Sequence, residues 1–186
     1  MFKPSRLFLF LGLAGSTLCA QVISSGTIEI PGTYEFDFDA GAVVLTSAAD
    51  VFWEQFTSTT RALQPITPAG IVNLGTSANF NTLTVAQLQA LTYCSSASGC
   101  GISGSDVGSL LVVGDVFAVQ TNLGNFAKAI VTAPIDPTED EGLTIQWVTY
   151  ANPNPPTTPA PPSFLLAFTG LCAAALYLGW RLRTTG

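Results

Sequence analysis

A charge-free apolar run near the end of the chain, residues 164–180, sets the plan of the whole protein. Seventeen residues in a helix span roughly 25 Å, which fits a short membrane-spanning segment. A buried core helix is the alternative, but such a helix would be amphipathic and this run is apolar on every side. Arg181 and Arg183 follow directly, and basic residues favour the cytoplasmic side. The sequence therefore predicts a transmembrane helix over residues 164–180 and a short basic tail over residues 181–186.

A proline-rich segment precedes this run. Six of the twelve residues 152–163 are proline. Proline fixes φ and lacks a backbone N–H, so the segment is excluded from sheets and helices. We expect an extended, semi-rigid spacer there, which separates the apolar run from the domain before it.

The first twenty residues have the layout of a secretory signal peptide. Lys3 and Arg6 precede a short apolar stretch, residues 7–14, and small residues lead to Ala20. This order predicts export and cleavage after Ala20. The mature chain would then begin with an ectodomain over residues 21–151, outside the cell membrane. Its C-terminus would be cytoplasmic before any processing.

The tail as a whole resembles the C-terminal surface-sorting tails of bacterial proteins of the PEP-CTERM kind. The resemblance rests on the proline-rich spacer, the apolar run and the terminal arginines, and it implies a sorting protease as a partner. The Pro-Glu-Pro signature is absent; residues 159–163, Pro-Ala-Pro-Pro-Ser, are its nearest match. Residues 114–128 are similar to a turn-strand-turn-strand pattern in uncharacterised exported bacterial proteins, and this likeness implies no activity.

The predicted ectodomain is acidic and the chain lacks histidine. Between Gln21 and Ser163 lie twelve acidic and two basic side chains, a net charge of −10. A surface of this kind does not bind nucleic acid through its phosphates. Without histidine, Ser-His-Asp and Cys-His nucleophiles and histidine-ligated metals are excluded. We therefore expect no cofactor.

Two cysteines, Cys94 and Cys100, fall within the predicted ectodomain, and five small residues separate them. In an exported protein this spacing predicts a structural disulfide. Two thiols are too few ligands for a metal site, and a redox pair usually has the closer C-x-x-C spacing.

Hydrophobic patterning predicts a mainly β fold. Tyr34, Phe36 and Phe38 alternate with acidic residues, which places the aromatic rings in the core and Glu35, Asp37 and Asp39 in water. Further strands are predicted over residues 51–56, 70–74, 110–121, 126–132 and 143–150, the last three as an antiparallel meander. Residues 95–109 are rich in Gly and Ser and predict a loop.

One short helix is predicted over residues 85–91. Thr84 can cap its N-terminus and Gln87 completes a capping box. Leu88 and Leu91 share one face and would pack on a sheet. The predicted fold is therefore a single small antiparallel, sandwich-like β-domain with one helix.

An acidic loop is the first candidate for chemistry. Asp136, Glu139, Asp140 and Glu141 lie close together, and Ca²⁺ prefers carboxylate and carbonyl oxygens. The spacing is not that of an EF-hand loop. A solvated hairpin loop is the alternative, and we expect it because the acidic residues are neighbours rather than alternate positions.

A carboxylate pair is the second candidate. Asp37 and Asp39 would share one face of a strand, and paired carboxylates can hydrolyse glycosides. The alternative is that they belong to the wet face of the strand. Arg61 and Lys128 are the only cations of the predicted ectodomain, and each is expected to pair with a carboxylate.

The sequence favours a surface-anchored, non-enzymatic β-domain that serves adhesion, extracellular matrix or envelope structure. Its partners would be the membrane, through the C-terminal helix, and an extracellular polysaccharide or protein. Two alternatives remain open: a carboxylate-based, carbohydrate-active hydrolase and a calcium-dependent surface module.

Overall fold

A computed structural model describes residues 20–45, 48–95, 99–135 and 141–154. The chain divides into two units, Met1–Pro153 and Asn154–Gly186, and the fold below belongs to the first. Most of the predicted signal peptide and spacer and all of the predicted transmembrane helix and basic tail lie outside the described residues. Within the described part, no helix is long and apolar enough to cross a membrane.

The described fold is mainly β, as predicted. Ten strands form two antiparallel sheets of five strands each, and one short helix lies between β6 and β7 in the chain. The elements are β1 Val22–Ile30, β2 Tyr34–Asp37, β3 Ala42–Val44, β4 Val51–Gln55, β5 Arg61–Pro65, β6 Gly70–Gly75, α1 Val85–Gln89, β7 Ile102–Ser103, β8 Val116–Gln120, β9 Phe126–Val131 and β10 Leu143–Tyr150.

Sheet I has the strand order β1-β10-β9-β8-β6, and sheet II has the order β3-β2-β4-β5-β7. The predicted meander is confirmed, because β8, β9 and β10 are consecutive neighbours in sheet I. The first strand closes on the last: β1 pairs with β10 from Val22↔Tyr150 to Ile30↔Leu143. Strand β10 is therefore a central strand, with a neighbour on each side.

The core is built from the facing sides of the two sheets. Phe36 contacts Phe38 edge to face at 4.8 Å between ring centroids, and it contacts Trp147 of β10 at 5.2 Å. Trp53 and Leu63 of sheet II are also fully buried. Edge-to-face aromatic pairs stabilise a fold by more than the burial of their apolar area alone. The prediction that Phe36 and Phe38 lie in the core is confirmed.

The predicted alternation fails at both ends of β2. Tyr34 is 38 % exposed rather than in the core, and Asp37 is buried rather than in water. At Asp37 the reason is that β2 ends there: the chain turns back, and the Gly41 N–H donates to the Asp37 carbonyl oxygen at 2.8 Å. Alternation between core and solvent applies only while a strand remains extended.

The helix begins as predicted and ends two residues early. Thr84 Oγ1 accepts from the Gln87 N–H, and Gln87 Oε1 accepts from the Thr84 N–H, which completes the capping box. Leu88 is buried against Ala118 and Phe126 of sheet I. The helix ends at Gln89, and α1 therefore covers the outer side of sheet I.

Three differences concern strand extents. The predicted strand over residues 110–121 is shorter, because the Asp115 N–H bonds to the Val112 carbonyl oxygen in a turn and only Val116–Gln120 is extended. The predicted loop over residues 95–109 contains β7. Strands β1, β3 and β5 were not predicted, because none of the three combines strong apolar character with regular alternation.

Cys94 and Cys100 form the predicted disulfide, with Cα atoms 5.5 Å apart. Cys94 also forms an isolated bridge with Ile71 of β6, through backbone hydrogen bonds of 2.9 and 3.1 Å in the two directions. The disulfide loop is therefore attached to an outer strand of sheet I, and Cys100 packs against the core.

Candidate functional site

Three carboxylates converge beside the turn that follows β2. Asp37 ends β2, Asp39 lies in the turn to β3, and Asp50 directly precedes β4. Because β2 pairs with both β3 and β4, the two chain segments meet, and ligand oxygens of the three residues lie within 4.8 Å of one another. This carboxylate cluster is the group of described side chains with the spacing to hold a metal ion.

Most of the carboxylate oxygens already accept hydrogen bonds. Asp50 Oδ2 accepts from the Phe38 N–H at 2.8 Å, and Asp50 Oδ1 accepts from the Asn122 N–H at 2.7 Å. Asp37 Oδ1 accepts two backbone N–H groups of its own turn, at 2.8 and 2.9 Å. Asp39 Oδ1 accepts from the Asn125 side chain at 3.1 Å. The cluster therefore holds together the turn after β2 and the turn between β8 and β9.

Burial changes the protonation of the cluster. It raises the pKa of Asp50 to about 7, although the N–H groups of Asn122 and Phe38 favour the charged form. Burial also raises the pKa of Asp39, against the hydrogen bonds from Thr121 and Asn125. Nearby like charges raise both values further. Near neutral pH the Asp50 carboxyl is therefore protonated in part of the molecules.

The geometry gives little support to hydrolysis by this cluster. Glycoside hydrolysis needs two carboxyl groups roughly 5–10 Å apart with the substrate or a water between them. The oxygens here lie within 4.8 Å, and Asp50 is fully buried. Asp37 and Asp39 are close to each other as predicted, but Asp37 is turned into the protein and bonded to its own backbone.

A buried ion pair forms a second constellation. Arg61 Nη2 contacts Glu141 Oε2 at 2.9 Å, and Arg61 Nη1 contacts Asp106 Oδ1 at 2.7 Å. The predicted pairing of Arg61 with a carboxylate is confirmed. Glu141, expected in a solvated loop, is instead buried against the guanidinium. The other calcium candidates, Asp136, Glu139 and Asp140, lie outside the described residues, and a calcium site there stays a prediction.

A cavity of about 360 Å³ lies next to this ion pair. Its lining includes both polar residues and apolar residues: Arg61, Ser105, Asp106 and Ser109 are polar, and Leu111, Val112, Val113, Pro134 and Ile135 are apolar. Because ligand pockets start at roughly 300 Å³, the cavity is large enough for a small molecule or a single side chain.

Lys128 differs from its prediction. Its Nζ donates to the carbonyl oxygens of Phe80 at 2.7 Å and Leu83 at 2.9 Å, and no described carboxylate pairs with it. The ammonium also lies 4.9 Å from the centre of the Phe80 ring. Burial lowers the pKa of Lys128. This side chain fixes the segment before α1 to the outer side of sheet I, which is a structural role.

Sequence reasoning missed Asp50, Asp106 and Asn122. The local signal at Asp50 is an acidic residue directly before an apolar strand, and this does not reveal that a turn 72 residues later donates to it.

Comparison with protein-family models, with curated proteins and with solved structures finds no match to this chain.

Proposed function

We propose that this protein is an exported, membrane-anchored display protein whose β-sandwich serves adhesion, extracellular matrix or envelope structure without catalysis. The supporting observation is how the sandwich meets the segment that follows it. Strand β10, which leads into that segment, has neighbours on both sides, β1 and β9. A force on the segment after β10 can therefore detach this strand only if the hydrogen bonds to both β1 and β9 break.

The junction beyond β10 is also held. The Ala151 N–H donates to the Gln21 carbonyl oxygen at 2.8 Å, and the Asn152 N–H donates to Asn125 Oδ1 at 2.9 Å. The predicted first residue of the mature chain, Gln21, is thereby bonded to the last residue before the predicted spacer, Ala151. Such a junction suits a domain that is displayed on a stalk and transmits force to it.

The acidic composition and the missing histidine add support. A domain with a net charge of −10 stays soluble and away from anionic membrane surfaces. The carboxylates of Asp37 and Asp50 are buried and accept backbone N–H groups, which argues against a hydrolytic function. Its partner at the surface would be a polysaccharide or a protein of the envelope.

Protease added to intact bacterial cells that express the full chain tests the anchoring and the topology. We expect the domain to be removed while cytosolic proteins survive. A chain truncated after Ser163 should be exported and released. A charge at the centre of the apolar run, Leu171→Arg, should also release it, because such a charge costs about 2.5–3.5 kcal/mol in a membrane. Leu171→Ile is the matched control and should stay anchored. A protease-resistant domain in intact cells, recovered with the cytosol, would refute the proposal.

A further inference from the structure

The two sheets have four outer strands, and three of these are protected against pairing with another chain. Strand β3 has three residues and β7 has two. Strand β6 has a bulge between Asn73 and Gly75, and the bridge from Ile71 to Cys94 occupies backbone groups on the side of β6 that faces away from β8. Short edge strands, bulges and covering segments are the means by which folded proteins prevent edge-to-edge association.

Strand β1 is the fourth outer strand and lacks most of this protection. Its one bulge lies between Val22 and Ser24, and Ser24–Ile30 continues in regular register with β10. This part of β1 contains no proline, lysine or arginine, and its one charge is Glu29. Within the described residues, no backbone–backbone hydrogen bond joins it to an element other than β10. Because every second residue of an antiparallel strand directs its N–H and C=O groups away from its neighbour, β1 presents a row of free donors and acceptors.

The side chains of β1 leave this edge accessible to another strand. Ser25, Thr27 and Glu29 are exposed, and Gly26 between them has no side chain. Ile28 packs against the core but is only half-buried, although isoleucine is usually among the most buried residues. An extended strand beside β1 would accept and donate the free backbone hydrogen bonds and would cover more of Ile28.

A second copy of β1 fits this edge. In an antiparallel pair centred on Thr27, Ser25 lies opposite Glu29, and Gly26 lies opposite Ile28. The two Glu29 positions are then about 14 Å apart, which exceeds the Debye length of about 8 Å at physiological salt. Self-pairing therefore brings no like charges together, and the glycine of one copy leaves room for the isoleucine of the other.

Self-pairing also ends the assembly at two copies. Two identical edges related by a twofold axis satisfy each other, so the contact is closed. The outer strands that remain are β3, β6 and β7, which are the protected ones. A strand from a different protein would use the same backbone groups, but neither the twofold register nor the placement of Glu29 would then have a role.

We propose that β1 pairs antiparallel with β1 of a second copy over Ser24–Ile30, which joins the five strands of sheet I in each copy into one continuous sheet. The pairing does not depend on membrane anchoring, so either property can be lost without the other.

A cysteine on the twofold axis tests the pairing and its register. Thr27→Cys would place two Cα atoms about 4.5–5.5 Å apart across the pair, which suits a disulfide. We expect the oxidised full chain, purified in detergent, to form a disulfide-linked dimer on non-reducing electrophoresis. All variants carry Cys19→Ser and Cys172→Ser, which remove the cysteines outside the Cys94–Cys100 bridge.

Two cysteine variants on the same face of sheet I are the controls. Ser25→Cys and Gln146→Cys, on β1 and its neighbour β10, are equally exposed positions. In the proposed dimer each of these residues lies roughly 14 Å from its counterpart, too far for a disulfide. Crosslinking of Thr27→Cys well above both controls supports the pairing. Equal yields in the three variants, or no crosslink in Thr27→Cys, would overturn it.

Charges opposite Glu29 provide a second test, which uses the dissociation constant of the dimer from sedimentation equilibrium in density-matched detergent. Ser25→Lys should lower this constant and Ser25→Glu should raise it, each by about twofold to thirtyfold, because each dimer contains two such cross-strand pairs. Glu29→Gln should remove the difference between the two variants. Gln146→Lys and Gln146→Glu add the same charges farther from the contact and should change little.

The position of Ser25 makes this second test independent of folding, because the two substitutions at one exposed site are expected to act in opposite directions. A dimer that forms through the apolar run near the C-terminus would not respond to charge at Ser25. Equal dissociation constants for Ser25→Lys and Ser25→Glu, or a chain that stays monomeric up to about 1 mM, would contradict the proposal.

Discussion

The backbone N–H of Asn122 donates to Asp50 Oδ1 at 2.7 Å, although 72 residues separate the two in the chain. Asp50 directly precedes β4 of sheet II, and Asn122 lies between β8 and β9 of sheet I. The Asn122 side chain also donates to the Ala48 carbonyl oxygen at 2.6 Å. A fully buried carboxylate thus joins the two sheets.

We expect the free energy of unfolding to decrease as the pH rises from about 4 to about 7, and Asp50 gives the reason. Its pKa is raised to about 7 in the folded chain, whereas the ordinary value is 3.8. Between these values the folded chain binds more protons than the unfolded chain. The contribution of Asp50 to the free energy of unfolding is therefore fully present below the ordinary pKa. It decreases by roughly 1.4 kcal/mol for each pH unit as the pH rises towards 7.

Urea unfolding at four pH values across this interval measures the effect. Asp50→Asn should flatten most of the slope and lower stability, because the amide directs an N–H₂ group at one of the two backbone donors. Burial raises the pKa of Asp115 to about 6. In the Asp50→Asn variant, the free energy of unfolding should therefore still decrease slightly with pH below that value. Stability that increases with pH over this interval would show that the Asp50 carboxyl is not buried as described.

The Arg61 ion pair predicts an order among three substitutions. Arg61→Met leaves Glu141 buried without a partner and should cost about 3–5 kcal/mol. Glu141→Gln keeps a hydrogen bond to Arg61 and removes one charge, with an expected cost of about 1.5–3 kcal/mol. Asp106→Asn should cost about 1 kcal/mol or less, because that side chain is more exposed. Chemical unfolding of the three variants gives the order, and an Asp106→Asn variant as unstable as Arg61→Met would contradict it.

The disulfide is expected to matter modestly. Cys94 and Cys100 close a small ring at an outer strand, and the loop-entropy model gives about 2 kcal/mol for a ring of this size. Cys94→Ser should lower the unfolding free energy by about that amount and leave the fold intact. Mass spectrometry without reduction should detect the loss of two hydrogens in the wild type. Complete loss of folding in Cys94→Ser would mean that the ring is not peripheral.

Calcium is expected to act as plain salt does. Glu141 is bound by Arg61, and both oxygens of Asp50 accept backbone N–H groups, so neither offers a free ligand. At matched ionic strength, CaCl₂ and NaCl should therefore give the same Tm, through screening of the acidic surface.

A calcium-specific rise in Tm would instead indicate a bound ion, and two variants would then locate it. Loss of the rise in Asp37→Asn assigns it to the carboxylate cluster, and loss in Asp140→Asn assigns it to the predicted acidic loop.

The sequence by itself determined the features that depend on neighbouring residues. The capping box of Thr84 and Gln87, the meander of β8 to β10 and the Cys94–Cys100 ring all follow from local spacing. Strand β4 and its buried Trp53 follow from an apolar run with β propensity.

Only the tertiary structure decided where the charges lie. Asp37 faces inward because its strand ends there, and Glu141 is buried because Arg61, 80 residues earlier, lies beneath it. Lys128 finds carbonyl oxygens rather than a carboxylate because the segment before α1 crosses sheet I. A buried charge needs a partner, and which partner is close depends on how the sheets meet rather than on sequence distance. The carboxylate cluster and the cavity beside Arg61 therefore exist only once both sheets are folded.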